Sequence, residues 1–299
     1  FETRAHVKAR QSGDSVFIDR FQAMQDKNMV EAEAAFILPN DSNPEFKPTA
    51  FLPIQVIHAW ASAKDFSIPV LLEPLNDTTL ANGFMSGDIA YEEGKGLLGN
   101  IDFTQLEFKK IAHTILKVDK VNLFAEGDKV ELNSYVNIGN GGWAGSSQVI
   151  VDNVFSNKRH VSVSHSTDNG GDVAVEGIID SLYTFTGKAN VSGAWFIPGT
   201  TTEIKRTDLQ IDVSAKLKEG IKGITAEITS DSTFYQPPKM SRLVPFRVRG
   251  HLENGIAEIT EFSTRNNEGE TINVTAAYSL DSMKLERFNI SSDQFSLKS

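Results

Sequence analysis

Polar and apolar residues alternate with a period of two along most of this chain. Val130, Leu132, Val136 and Ile138 share one parity, with Glu131, Asn133, Tyr135 and Asn137 on the other. Leu209, Ile211, Val213, Ala215 and Leu217 alternate with Gln210, Asp212, Ser214 and Lys216. Val244, Phe246, Val248 and Leu252 do so against Arg247, Arg249 and His251, and Ile272, Val274, Ala276, Tyr278 and Leu280 against Asn273, Thr275 and Ser279. Successive side chains of a strand face opposite sides, so each run predicts a strand with one apolar and one polar face. Shorter runs at Val16/Ile18, Ile101/Phe103, Val121/Leu123, Val161/Val163, Val173/Val175 and Ile224/Ala226/Ile228 agree.

Turn signals separate the runs: Glu126-Gly-Asp, Asn140-Gly-Gly, Asp168-Asn-Gly-Gly, Lys218-Glu-Gly, Glu253-Asn-Gly and Asn267-Glu-Gly. Asn and Gly tolerate the positive φ of tight hairpin turns. Strand and turn at such short spacing predict an antiparallel meander, since parallel pairing needs long crossovers. The fold class is therefore all-β. Residues 39–75 depart from the pattern, with prolines at 39, 44, 48, 53, 69 and 74. Proline removes a ladder donor, so this stretch is expected to be irregular or briefly helical. A helix of about three turns is expected over Ile54–Lys64, with Val56, Ile57 and Trp60 on one side, as a plug over an open sheet end. With no linker and no strict repeat, residues 1–299 read as a single elongated domain, atypical over 1–80 and repetitive over 81–299.

The 299 residues carry 29 Lys and Arg against 39 Asp and Glu, a net charge of −10 that disfavours nucleic acid and anionic surfaces. No stretch approaches the roughly 20 apolar residues that span a bilayer. Cys is absent, which excludes disulfides, thiolate nucleophiles and thiolate-bound metals. The chain opens with Phe1 and Glu2. It reads as a mature protein or an internal fragment, whose membrane anchor would lie elsewhere.

Catalytic signatures are missing. Of the six histidines, His160 and His165 are the closest pair, and a separation of five on a strand sets them on opposite faces. No zinc-protease helix, nucleophile elbow, phosphate loop or calcium loop occurs. The Gly-rich stretch Gly139–Gly145 has no helix after it to aim at a phosphate, so it reads as a hairpin loop. Carboxylates are numerous enough for a glycosidase pair, yet Glu253, Glu258 and Glu261 alternate with apolar residues on a solvated face. An enzyme is not expected.

A wide meander must cover its apolar face, either with a second layer in a solenoid or sandwich, or by curling into a groove that holds something extended and apolar. An acyl chain of about sixteen carbons would gain on the order of 10 kcal/mol in such a groove, less ordering costs.

The stretch Thr186–Thr200, followed by Asp208-Leu-Gln-Ile-Asp-Val-Ser-Ala, resembles the repeating strands of the AsmA/TamB-like proteins of Gram-negative envelopes. So does Gly255-Ile-Ala-Glu-Ile-Thr-Glu-Phe with Gly269-Glu-Thr-Ile-Asn-Val-Thr-Ala-Ala-Tyr, and the likeness is best over 170–299. It implies a taco-shaped β-groove in the periplasm that carries phospholipid acyl chains between membranes, without cofactor or catalytic residue. An outer-membrane β-barrel partner is implied as well. The implied groove lining is Val136, Ile138, Val161, Val163, Leu209, Ile211, Val213, Leu217, Val244, Phe246, Val248, Ile272, Val274 and Tyr278. Two alternatives stay open: a glycan-binding or glycan-active solenoid, motivated by Val151-Asp-Asn-Val-Phe-Ser-Asn and the Asn-rich turns, and a ligand-free envelope or secretion scaffold.

Overall fold

The computed structural model describes residues 3–39, 49, 54–72, 80–111, 114–137, 144–196, 203–235, 244–265, 271–282 and 284–292. The protein is all-β, as the alternation predicts. It falls into two compact units, Phe1–Gly141 with Ser146–Arg159, and Gly142–Gly145 with His160–Ser299.

The first unit holds β1 (Thr3–Ser12), β2 (Ser15–Gln25), β3 (Asn28–Ile37), β4 (Gln55–Ser67), a five-residue helix α1 (Ile68–Leu72), β5 (Leu80–Glu92), β6 (Gly96–Ile111), β7 (Thr114–Gly127), β8 (Lys129–Asn137) and most of β9 (Gly145–Asp152). From β1 to β8 each strand pairs antiparallel with the next in sequence. The second unit takes up β10 (Lys158–Thr167), β11 (Gly171–Asp180), β12 (Thr184–Phe196), β13 (Glu203–Lys216), a 3₁₀ segment (Leu217–Gly223), β14 (Ile224–Tyr235), β15 (Val244–Glu253), β16 (Ile256–Arg265), β17 (Thr271–Ser279) and β18 (Lys284–Ser292). The same nearest-neighbour antiparallel pairing runs from β11 to β18.

The turn chemistry is local. Glu253 pairs with Ile256, so Asn254 and Gly255 form a two-residue hairpin loop, with φ of 53° and 77°. Two consecutive positive φ values are what a type I′ turn demands, and Asn-Gly supplies them at least cost. In the β7–β8 hairpin Glu126 pairs with Lys129 and Gly127 alone has positive φ, 62°, the glycine-first pattern of a type II′ turn. The turns read at Asn140-Gly-Gly and Asn267-Glu-Gly lie outside the described residues, as do residues 139–143 of the Gly-rich stretch.

The helix expected over Ile54–Lys64 is corrected: from Gln55 onward those residues belong to β4. Ala59, Ala61 and Ala63 face Ala34, Ala32 and Val30 of β3 on one side and Tyr91, Ile89 and Gly87 of β5 on the other. Both backbone edges of β4 are thereby hydrogen-bonded, and that tertiary pairing overrides the helical preference of alanine. The helical turn in this region is α1, one step later.

Bulges interrupt the ladders and redirect side chains. Asp65, at φ 46°, sits where the β4–β5 register shifts between Ala63 and Phe66. Its amide donates to Ser86 Oγ (2.8 Å), and that hydroxyl donates back to Asp65 Oδ1 (2.8 Å). The next residue, Phe66, is fully buried with Ala23 and Val30, against Phe21, Ala63, Val70 and Met85. A second cluster gathers Leu80, Leu106 and Val118 with Ile68, Phe103 and Val136. Val70 of α1 packs against the first cluster and Ile68 against the second. Among the described residues fourteen apolar side chains are buried, and seven of these are alanine, so large side chains in a packed interior are few.

Candidate functional site

The apolar face of the second unit is the most extended feature. In register across it run Gly177, Gly187, Val213, Ala226, Leu252, Ala257, Tyr278 and Leu285. A parallel row holds Val175, Ala189, Ile211, Ile228, Gly250, Ile259, Ala276 and Phe288. Further along the strands come Ser230, Val248, Phe262, Val274 and Ile290, then Thr233, Phe246, Thr264 and Ile272. The rings of Phe246 and Phe262 meet at 5.1 Å. The bulges let this face persist: Gly250 faces Ile259 but Arg249 faces Glu261, so one extra residue on β16 corrects the parity.

The structure therefore brings Leu209, Ile211, Val213, Val244, Phe246, Val248, Ile272, Val274 and Tyr278 onto one face, and all are half-buried. Val161 and Val163 are half-buried on β10. Val136 belongs elsewhere, in the Leu106–Val118 cluster of the first unit. Leu217 is a correction: β13 stops at Lys216, and Leu217 opens the 3₁₀ segment at 50% exposure. Its amide donates to the Tyr183 carbonyl at 3.0 Å, so the chain turns away from the β13–β14 ladder before the alternation can continue. Ile138 lies outside the described residues.

Burial distinguishes this face from a packed core. The buried apolar residues of the second unit are Ala144, Ala189, Ala215, Ala277 and Trp195 among those described. A second layer of side chains would drive Ile211, Val213 and Val248 to the same level. They keep partial exposure instead, while Ser230 and Thr233, hydrogen-bonded to each other at the β14 bulge, are the buried polar residues of this face.

The opposite face is charged. Glu176, Lys188, Asp212, Glu227, His251 and Glu258 follow one another in register. Lys188 lies 3.7 Å from Asp212 and His251 3.6 Å from Glu258, which Arg287 also pairs. A hollow of about 510 Å³ opens on β12–β15 along the Gly187, Val213, Ala226 and Leu252 row, with their strand neighbours on either side completing its lining. His160 is exposed and His165 half-buried on β10. Among the described residues no three His, Asp or Glu side chains converge as a metal site, and no helix is long and apolar enough to cross a membrane.

The polar face of the first unit carries an ordered amide and carboxylate network. Asn122 Nδ2 donates to Asn100 Oδ1 (2.7 Å) and Asp102 Oδ1 (2.9 Å). Asn133 donates to Glu131 Oε1 (2.8 Å), and Gln148 donates to both Glu131 (2.9 Å) and Asn133 Oδ1 (3.1 Å). The Asn122 amide and then the Lys120 ammonium hold the Asp102 carboxyl below its ordinary range; the Asn133 amide does the same for Glu131. Beside this network, on the same face, stand Trp60, Leu98, Phe124 and Tyr135, which strand alternation would assign to polar side chains. The sequence signal for them is a large apolar residue on the polar parity of a run. Tyr135 shows that signal within its own run, on the parity of Glu131 and Asn133. Comparison of the chain with protein-family models, with curated proteins and with solved structures finds no match.

Proposed function

We propose that this chain is a non-catalytic lipid-shielding wall, whose apolar face in the second unit lies against the acyl chains of phospholipids. One observation carries the reading: aliphatic and aromatic side chains in register over β11–β18 are half-buried or exposed, with alanines and Trp195 as the buried apolar residues described in that unit. Water against such a face is costly at about 25 cal/mol per Å², and acyl chains remove that cost without demanding a fixed shape. The Phe185 ring lies over Gly177 and Gly187 at one end of this row, and beyond it Val213 and Ala226 keep the face low across β13 and β14. The opposite charged face stays in water, so one sheet separates lipid from solvent. The resemblance of residues 170–299 to AsmA/TamB-like strands supports the same role, in the periplasm of a Gram-negative envelope, with an outer-membrane β-barrel as partner.

The test is mild native mass spectrometry of the purified chain, with solvent extraction of what it carries. Phospholipid adducts are expected, and Val248→Asp is expected to remove them while the circular dichroism of the sheet is kept. A folded chain that carries no lipid and takes up none from phospholipid vesicles overturns the proposal.

A further inference from the structure

The polar face of the first unit breaks its own pattern. Trp60 on β4, Leu98 on β6, Phe124 on β7 and Tyr135 on β8 are 37%, 67%, 42% and 43% exposed. Register places all four on the face that carries Glu33, Asp88, Asn100, Asp102, Asn122 and Asn133. Large apolar groups exposed on a polar face cost solubility, so such a set rimmed by polar groups marks a binding surface.

Their arrangement selects the ligand. Trp60 and Leu98 share one cross-strand row through Ala90. Phe124 lies one strand further and one row along, and Tyr135 one strand and two rows beyond that. At about 4.8 Å per strand and about 3.4 Å per residue, the diagonal from Trp60 to Tyr135 spans about 28 Å, with about 14 Å between Phe124 and Tyr135. Between those two rings Asn122 and Asn133 pair across β7 and β8; Asn122 is held by Asn100 and Asp102, and Asn133 by Glu131 and Gln148, so both amides are fixed before any ligand arrives.

Flat rings alternating with fixed amides and carboxylates suit a molecule whose surface alternates between C–H faces and vicinal hydroxyls. A lipid tail would leave the amides without a water-like partner on its side, which is costly. Charge narrows the class further. Among the described residues Glu33, Asp88 and Glu126 border the rings on this face without an ion pair and outnumber the exposed Lys64, while Lys120 and Lys129 are engaged by Asp102 and Glu131. That excess of negative charge repels sulfated or uronic chains and nucleic acid. We infer that this face is a binding platform for an extended, neutral oligosaccharide, stacked on Trp60, Phe124 and Tyr135 and hydrogen-bonded between them by Asn122, Asn133 and Glu131. The platform lies on the other unit from the lipid-facing rows and does not depend on that reading.

The experiment is calorimetric titration of the full chain with neutral hexasaccharides (cellohexaose, laminarihexaose, xylohexaose and chitohexaose), with heparin as the anionic control. Binding of at least one neutral hexasaccharide is expected, weakened about tenfold by Phe124→Ala and by Tyr135→Ala, as the loss of one stacked ring implies. Both rings are exposed, so the variants keep the fold, and unchanged circular dichroism confirms it. Val213→Asp is expected to leave saccharide binding unaltered. The inference is overturned if none of the four binds at millimolar concentration, if heparin binds more tightly than any of them, or if both ring variants bind as the parent does.

Discussion

Replacement of Val213 by Asp separates an open apolar wall from a covered one. Val213 is half-buried, with Gly187 and Ala226 directly across from it, so an isosteric carboxylate meets no steric barrier. Full burial of a valine is worth about 1.5–3 kcal/mol, so a half-buried one forfeits about 1 kcal/mol. The poorer strand preference of Asp adds at most about 1 kcal/mol. On an open wall the carboxylate stays hydrated, and the total loss is about 2 kcal/mol. Under a second layer the charge would be stripped of water without a partner, adding about 3–5 kcal/mol and bringing the loss above 5. Urea denaturation followed by far-ultraviolet circular dichroism reads the difference, with Val213→Thr as a control that alters polarity without charge. A loss of about 2 kcal/mol with displaced lipid is expected. A loss above 4 kcal/mol, or failure of Val213→Asp to fold while Val213→Thr folds, would refute the open-face argument.

Phe66→Ala is expected to cost about 3–5 kcal/mol, because Phe66 is the fully buried member of its cluster; hydrogen exchange in β3–β5 would report it. Gly187→Val is expected to cost about 1–3 kcal/mol, seen as a lower melting temperature, since a Cβ there would lie 2.2 Å from the Glu176 carbonyl oxygen and 2.7 Å from Gly177 Cα. Asp102 has a folded pKa below its unfolded one, so its contribution to stability is present above the unfolded pKa and lost as pH falls through the folded value. Asn122→Ala should raise the Asp102 pKa towards the ordinary carboxylate value in an NMR titration, and an unmoved Asp102 would show that Lys120 alone sets it.

Much of this fold is legible because its strands alternate cleanly. The runs at 203–216, 244–253 and 271–279 each put Leu, Val, Ile or Phe on one parity, and period two has no competing helical interpretation there. Asn254-Gly255 and Gly127 mark their hairpins because few residue types accept positive φ. β4 was hidden: Ala59, Ala61 and Ala63 carry no β signal, while Val56, Ile57 and Trp60 match a helical face. Its identity is decided by β3 and β5, which no local window contains. The continuity of the apolar face across bulges is equally non-local, since the extra residue near Thr260 is visible only in the register of β15 against β16. Leu217 fits the alternation of β13 by sequence alone, but the β13–β14 connection draws it out of the strand.

The ladders described above join strands adjacent in sequence, and this has a mechanical and kinetic consequence. Contacts of short sequence separation can form as soon as the next hairpin has left the ribosome, without waiting for a distant segment. Each unit can then lengthen or shorten by whole hairpins while the existing ones keep their partners, much as stacked repeats do. Under a force applied across the strands the same connectivity would yield one ladder at a time, so the wall would peel by successive hairpins instead of rupturing in one event.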